Sequence, residues 1–569
     1  MKKNLILFLS AASVIALSSC SSKLGELSAD NFNVTPNPLE SRGGQVAVTI
    51  NGTFPEKYMK KKAMVTVIPE LRYGNGQAAQ GQAAKFQGEK VEGNDQTIAY
   101  KAGGNYTMKS NFKYVPEMQK SDLYMTFDAY VGKKKKKVEI PAVKVAEGVI
   151  ATSELYKNTL AGSGACIAPD TFQRVRDQRQ AAQIKFLINQ ANLRKSELKN
   201  NSVKEFVELL KKINADKEGL NIKNVEVLAY ASPDGGFDFN DKLASKRQDV
   251  SVDYAKKQLK SAKVQSDVTG KYTAQDWEGF QELVSKSNIQ DKELILRVLS
   301  MYQDPEQREQ EIKNISSVYK TLADEILPQL RRSRLTLNYE IIGKSDEEIA
   351  NLADSDAKQL NIEELLYATT LTKDAAKQEA IFTKATQIYP NDFRAYNNLG
   401  KLAYQAGDLN KAESYFKKAL SIKDAPEANM NLGLIALTKG DRTAAESYLS
   451  KASGSKELNE ALGNLYVAQG QYDKAVSSFG DTKTNSAALA QILAKDYNKA
   501  KNTLAAIERP DAYTDYLMAV LGARTNNTSM VTSSLKNAIA KEPALAKKAA
   551  SDLEFAKYFT NTDFMNIIK

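Results

Sequence analysis

The 569-residue chain carries 79 Lys and Arg against 68 Asp and Glu, a formal charge of +11, with two cysteines and no histidine. The missing histidine excludes Ser-His-Asp and Cys-His nucleophile arrangements and His-based zinc sites. The basic balance points to an anionic neighbour such as membrane headgroups or cell wall, and nucleic acid is set aside because no recognised nucleic-acid motif accompanies the charge.

The N-terminus reads as a processing signal over residues 1–19. Lys2 and Lys3 form a basic start, and Leu5 to Leu17 is mostly apolar but too short for a comfortable transmembrane helix. Leu17-Ser18-Ser19-Cys20 resembles a bacterial lipobox. That resemblance implies that Cys20 becomes the first mature residue and carries the lipid anchor. Ser21 resembles the residue found in lipoproteins sorted to the outer membrane. Ser21-Ser22-Lys23-Leu24 lacks the acidic run of surface-exported lipoproteins, so the periplasmic face is expected. Residues 20–29 then form a lipidated linker, and residues 21–30 reach at most about 35 Å when extended. Cys166 is the sole remaining thiol and cannot form an internal disulfide; after Gly162-Ser163-Gly164-Ala165 it reads as a small buried apolar residue.

Residues 30–160 read as a β-sandwich-like domain. Val46, Val48 and Ile50 alternate with polar residues, as do Leu123, Met125, Phe127 and Ala129. Turn signals at Pro36-Asn37-Pro38, Gly43-Gly44, Gly74-Asn75-Gly76 and Gly103-Gly104 punctuate these runs. Lys133 to Lys137 and Lys60-Lys61-Lys62 read either as solvated edges guarded by lysines or as contacts to anionic headgroups or wall polymer.

Residues 170–343 read as an α/β domain. Ile184–Ile188 is a short apolar run; Phe206, Leu209, Leu210 and Ile213 form a helical stripe; Val225, Val227 and Ala229 alternate into a second strand. Arg331-Arg332-Ser333-Arg334 leads into a final strand at Leu335–Tyr339, and about 260–330 reads as a mostly helical insertion. The turn Ala229-Tyr230-Ala231-Ser232-Pro233-Asp234-Gly235-Gly236 precedes Asn240-x-x-Leu243-x-x-x-Arg247. These motifs resemble the C-terminal domain of the OmpA/MotB family in a variant associated with Bacteroidetes. The resemblance implies non-covalent binding of a peptidoglycan stem peptide. An arginine fork suits the carboxylate of its diamino acid and an acidic side chain suits the amine. The implied ligand-binding residues are Arg247, Asp234, Arg332 and Asn240. Where the family has its aspartate this chain has Ser232, and Asp234 follows two residues later; Leu330 stands where the family has an asparagine.

From about 350 to 569 the chain reads as helices repeating near 33 residues. Tyr396, Leu399, Gly400, Gly407, Ala412, Phe416 and Ala419 are echoed by Leu432, Gly433, Gly440, Ala445, Leu449 and Ala452, then by Leu462, Gly463, Gly470, Ala475 and Phe479. Less regular units end at Pro390, run through Ala500 and Leu504, and end at Pro543, with a cap over Asp563 to Lys569. The spacing resembles tetratricopeptide repeats, an all-α solenoid whose concave face binds protein segments. The fold class is therefore multidomain: β-sandwich-like, OmpA-like α/β, then repeat solenoid. The expected function is an outer-membrane lipoprotein that binds peptidoglycan and recruits a protein partner. The alternative is an accessory scaffold subunit of an outer-membrane assembly or secretion complex. No enzyme activity, cofactor or metal is expected, because no phosphate loop or metal-ligand spacing is present.

Overall fold

The computed structural model describes residues 24–160, 164–289, 291–314 and 316–569; the expected signal segment and Cys20 lie outside them. The chain forms two compact units, Met1–Pro169 with Phe382–Lys569, and Asp170–Ile381.

In the first unit, two sheets enclose one core. The five-stranded sheet is built on Gln45–Phe54, which pairs antiparallel with Phe32–Thr35, Leu39–Arg42 and Gly104–Lys113; Val149–Ile150 adds to Leu39–Arg42 in parallel. The seven-stranded sheet is built on the long antiparallel pair Ala63–Tyr73 and Ser121–Val131. Val46, Val48, Ile50, Leu123, Met125 and Ala129 all face inward, so the two-residue alternation reports the buried face. Lys133 to Lys137 are exposed in and just after a turn that opens at Gly132, whose φ of +84° suits glycine.

The repeat helices run as antiparallel pairs: Phe393–Gln405 with Leu409–Ile422, Pro426–Thr438 with Arg442–Leu449, and Leu458–Ala468 with Tyr472–Phe479. Asn485–Leu493 with Tyr497–Ala505 and Ala512–Arg524 with Thr528–Lys541 continue the array. The glycine positions are dictated by contact. A Cβ on Gly400 would meet the Phe416 ring at 2.5 Å, one on Gly433 would meet Leu449 at 2.5 Å, and one on Gly463 would meet Phe479 at 2.7 Å. Each pair of helices thus approaches over a glycine, and the large side chain fills the space.

The β-sandwich and the repeats share this unit, where separate domains are expected from sequence. The reason is a set of polar contacts between them. Arg42 Nε donates to the Gly470 carbonyl (2.9 Å) and its guanidinium lies 4.9 Å from the Tyr472 ring centroid. Arg442 Nη1 donates to the Gly43 carbonyl (3.0 Å), and Thr152 donates to Glu554, which also holds Arg524 (Nε, 3.0 Å).

The second unit contains a four-stranded sheet in the order Val175–Lys185, Arg332–Ile342, Leu220–Tyr230, Asp267–Thr273. The first three are antiparallel neighbours and the last pairs in parallel. Helices Asn201–Ala215 and Phe237–Ala262 cover one face, burying Phe206, Leu210, Ile213, Val225, Val227, Leu259 and Leu335 together. Three boundaries differ from the sequence expectation. The apolar run Ile184–Ile188 is the end of a longer strand and leaves it at Lys185, with Leu187 and Ile188 exposed. The region 260–330 is mostly helical, but an edge strand absent from the sequence expectation, Asp267–Thr273, lies in it, polar and nearly all exposed, so it carries no apolar alternation. Helices Asp346–Ser355 and Ile362–Ala368 belong to this unit and not to the repeats. Arg174 pairs with Asp346, Phe172 stacks on Tyr367 with centroids 4.4 Å apart, and Lys344 reaches Glu364 at 3.1 Å.

The inserted helices, beginning with Trp277–Lys286, build a small core of their own from Phe280, Val284, Ile295, Leu299, Ile326 and Leu330. They lie behind the Pro233-Asp234 segment of the turn, to which Trp277 and Phe280 are close neighbours.

Candidate functional site

Strand Leu220–Tyr230 ends in the turn 231–236, from which helix Phe237–Ala262 departs. Asn240, in the first turn of that helix, is buried. Its Nδ2 donates to the carbonyls of Ser232 (3.0 Å) and Gly235 (2.8 Å), so both amide hydrogens hold the turn and neither is left for a ligand. Gln275 Nε2 adds a second donor to the Gly235 carbonyl (2.9 Å).

Ser232 and Asp234 are brought together by this turn. The Ser232 hydroxyl donates to Asp234. Arg331, which enters from just before the last strand, places Nη2 2.9 Å from Asp234 Oδ2 and donates from Nε to Ser232 Oγ (3.3 Å). An open pocket of about 340 Å³ lies against this group, walled by Ile188, Asn189, Ser232, Asp234, Phe239 and Leu243. Two of its walls, Ile188 and Phe239, are large apolar side chains left exposed.

Arg247 lies at the base of the pocket but is 0 % exposed. Its Nε donates to the Gln190 carbonyl (3.0 Å), Nη1 to Tyr230 (2.9 Å) and Nη2 to Leu187 (3.1 Å), and the guanidinium stacks over Phe186. Burial, then the nearby charge of Arg331, draws its pKa down to about 10, so it remains protonated at neutral pH. The side chain ties one loop, at two points, and a strand end to one helix. Its geometry is that of a positioning residue, because no face of the fork is open to a ligand.

Arg332 is not brought to the pocket. It sits in a buried pair with Asp276 (Nη2 to Oδ2, 3.0 Å), donates to the Gln329 carbonyl and covers the Tyr230 ring. Asp276 also caps helix Trp277–Lys286 by accepting from Gly279 N (2.9 Å), so the pair fastens the insertion to the sheet. The arginine that meets the turn is its neighbour Arg331. The signal that distinguishes the two is register: residue 331 precedes the strand and residue 332 is its first member, so the two side chains leave in different directions.

Burial raises the Asp276 pKa above its ordinary 3.8 despite the neighbouring arginine. A carboxyl with a raised folded pKa holds its proton longer in the native state, so its contribution to stability falls as pH rises from about 3.8 through the folded value. Urea titrations followed by fluorescence of the sole tryptophan, Trp277, are expected to show this decline in the wild type. The decline is expected to be missing in Asp276→Asn; parallel pH profiles would contradict the assignment.

In the first unit the first helices of the repeat pairs are already covered. Leu155, Tyr156, Leu160 and Cys166 pack into one core with Met430, Leu434, Leu465 and Leu489. The strap, described over residues 151–160 and 164–168, is read through its backbone. Asn431 accepts from Cys166 N (2.6 Å) and donates to the Cys166 carbonyl (2.9 Å), which also receives Asn397 Nδ2 (3.0 Å). Asn398 does the same at Ala168, accepting from its N–H (2.8 Å) and donating to its carbonyl (3.0 Å). Sequence reasoning missed this occupant. Its signal was helix Pro426–Thr438, apolar around its whole circumference: every residue from Ala428 to Leu437 is buried, and such a helix must be covered on all sides.

The tetratricopeptide-repeat family description matches residues 393–425, 426–457 and 458–484. No curated protein matches the sequence. Similar solved structures include a tetratricopeptide repeat protein from Parabacteroides merdae, 15 % identical over 37 % of this chain and 91 % of that one, with a TM-score of 0.29. They also include PilW, a type IV pilus biogenesis factor (17 % identical, 39 % of this chain and 99 % of that one, TM-score 0.28). A third is the Cut9-Hcn1 structure of the APC/C (15 % identical, 36 % and 45 % covered, TM-score 0.31). The C-terminal region is thus a tetratricopeptide-repeat array, a protein-interaction scaffold, joined to a sheet-rich N-terminal region.

Proposed function

We propose that the protein is a non-catalytic tether: an outer-membrane lipoprotein, held through Cys20 on the periplasmic side, whose α/β unit binds peptidoglycan. The observation that carries this reading is Asp234, which lines an open pocket and is paired at 2.9 Å with Arg331 behind it. A diamino acid in a stem peptide presents the complementary pair, with its amine toward Asp234 and its carboxylate toward the fork of Arg331. The resemblance of the strand–turn–helix motif to OmpA-like domains supports the same reading. In this account Arg247, Asn240 and Arg332 hold the turn, the loops and the insertion in place, while Asp234 and Arg331 meet the ligand. Ligand groups that replace the internal pair keep each charge satisfied, which avoids leaving a half-buried charge alone.

The second reading is a scaffold subunit of an outer-membrane assembly. It is favoured by a cleft of about 690 Å³ between the β-sandwich and the last repeats, lined by Glu70, Arg72, Lys120, Asp122, Ser551 and Phe559. Because the strap covers the first helices of the repeat pairs, a protein partner in this reading takes another surface of the array or this cleft.

The test is co-sedimentation of the chain from Ser21 onward with purified peptidoglycan. Wild type is expected to pellet, and Arg331→Ala or Asp234→Asn to weaken binding by about tenfold to a hundredfold, the worth of one charge-assisted hydrogen bond. Wild-type protein remaining in the supernatant would overturn the tether and leave the scaffold reading.

A further inference from the structure

Two lysine runs about seventy residues apart in the sequence meet at one end of the β-sandwich. Ala63, which follows Lys60 to Lys62, pairs across the sheet with Val131, which precedes Gly132 and Lys133 to Lys137. Gly132 N donates to the Lys62 carbonyl (3.0 Å), and Lys90 N donates to the Lys61 carbonyl (2.7 Å), which brings in a third segment. Segments 56–62, 88–90 and 131–137 together carry ten lysines and two glutamates, Glu56 and Glu89. Lys61 lies 3.9 Å from Glu89 and Lys137 lies 3.9 Å from Asp128, the ion pairs of these lysines among the described residues. Lys60 is half-buried over the Tyr100 ring, and Lys57, Lys61, Lys62, Lys90 and Lys133 to Lys137 are exposed.

The start of the described chain lies at the same end. Leu24 and Leu27 are buried in the sandwich core, and Gly25 lies against the ring of Tyr58, inside the lysine-bearing segment 56–62. The expected lipid attachment at Cys20 is five residues upstream, a reach of at most about 17 Å. A lipid on Cys20 therefore holds this end of the molecule close to a bilayer, well within the range over which lysines feel an anionic surface.

We propose that this lysine end of the β-sandwich docks on the phosphates of anionic lipid headgroups, so that the acyl anchor and the basic surface hold the membrane together. One acyl anchor and one basic patch are two additive signals: the chain supplies hydrophobic burial and the lysines supply a composition-dependent electrostatic contribution. Solvated edge lysines that only discourage strand pairing need no such convergence, because Lys60 to Lys62 and Lys90 do not lie in the 133–137 turn. The proposal is independent of the Asp234–Arg331 pocket.

The experiment uses the chain from Ser21 onward, which keeps every described residue and lacks the lipid. It is mixed with vesicles of phosphatidylcholine alone or of phosphatidylcholine with 30 mol% phosphatidylglycerol, at about 0.1 M and about 0.5 M salt. Binding is expected only to the anionic vesicles and only at the lower salt. The triple variant Lys62→Glu, Lys90→Glu, Lys134→Glu is expected to bind about a hundredfold more weakly. Lys204→Glu, Lys211→Glu, Lys212→Glu, equal in charge change but on the exposed face of helix Asn201–Ala215, is expected to bind as wild type does. Equal losses in the two variants would assign the effect to net charge and overturn the proposal. Binding to neutral vesicles, binding that survives the higher salt, or no wild-type binding would overturn it as well.

Discussion

Replacing Arg247 by alanine is expected to lower the stability of the Asp170–Ile381 unit by about 3–5 kcal/mol, the combined cost of under-bonded buried carbonyls and a cavity. The side chain is fully buried and donates to three backbone carbonyls, two in one loop and one at a strand end. Alanine leaves those carbonyls without their donors and opens a cavity under the pocket. Lysine is not a conservative substitute, since a single ammonium cannot span three carbonyls held at the spread of a planar fork. Urea denaturation read by Trp277 fluorescence reports this unit, because the only tryptophan lies within it. Wild-type stability in Arg247→Ala would contradict a positioning role and return Arg247 to consideration as a ligand contact.

The second large effect concerns the strap. Asn397→Ala combined with Asn431→Ala removes the side-chain partners of the Cys166 backbone N–H and carbonyl, leaving two buried polar groups unsatisfied at a cost of about 2–4 kcal/mol. Cys166 itself is the probe. It is buried, and burial together with Glu457 pushes its thiol pKa up to about 12, so in the closed state it is a poor nucleophile at pH 8. The wild type is expected to react slowly with a thiol reagent under native conditions. The double variant is expected to react about thirtyfold to a thousandfold faster, in step with the lost closing energy. Far-ultraviolet circular dichroism should remain unchanged, because the repeat helices keep their own glycine-packed pairs. Equal reaction rates would contradict the view that these asparagines hold the strap.

The repeats were readable because their rule is steric. Gly400 has to be small where Phe416 crosses it, and Gly463 where Phe479 does, so residue size recurs at a fixed period. Strands with one buried face were equally readable from Val46, Val48, Ile50, Val225 and Val227. The edge strand Asp267–Thr273 was not, since nearly all of it is exposed and nothing selects apolar residues along it. The course of the strap at Cys166 to Ala168 was not, since there the asparagines read its backbone. At the pocket, the turn residues Ser232, Asp234 and Asn240 were identified from their motif, but their division of labour depends on three-dimensional register. Arg331 faces Asp234 while Arg332 faces Asp276, a distinction that adjacent letters do not carry.

The most direct measurement is calorimetric titration of the chain from Ser21 onward with a peptidoglycan stem tripeptide ending in a diamino acid. The tether account predicts saturable binding that Arg331→Ala weakens by about tenfold to a hundredfold, and that acetylating the diamino acid's free amine weakens similarly by removing the group Asp234 takes. No binding by the wild type, or binding indifferent to both changes, would contradict it.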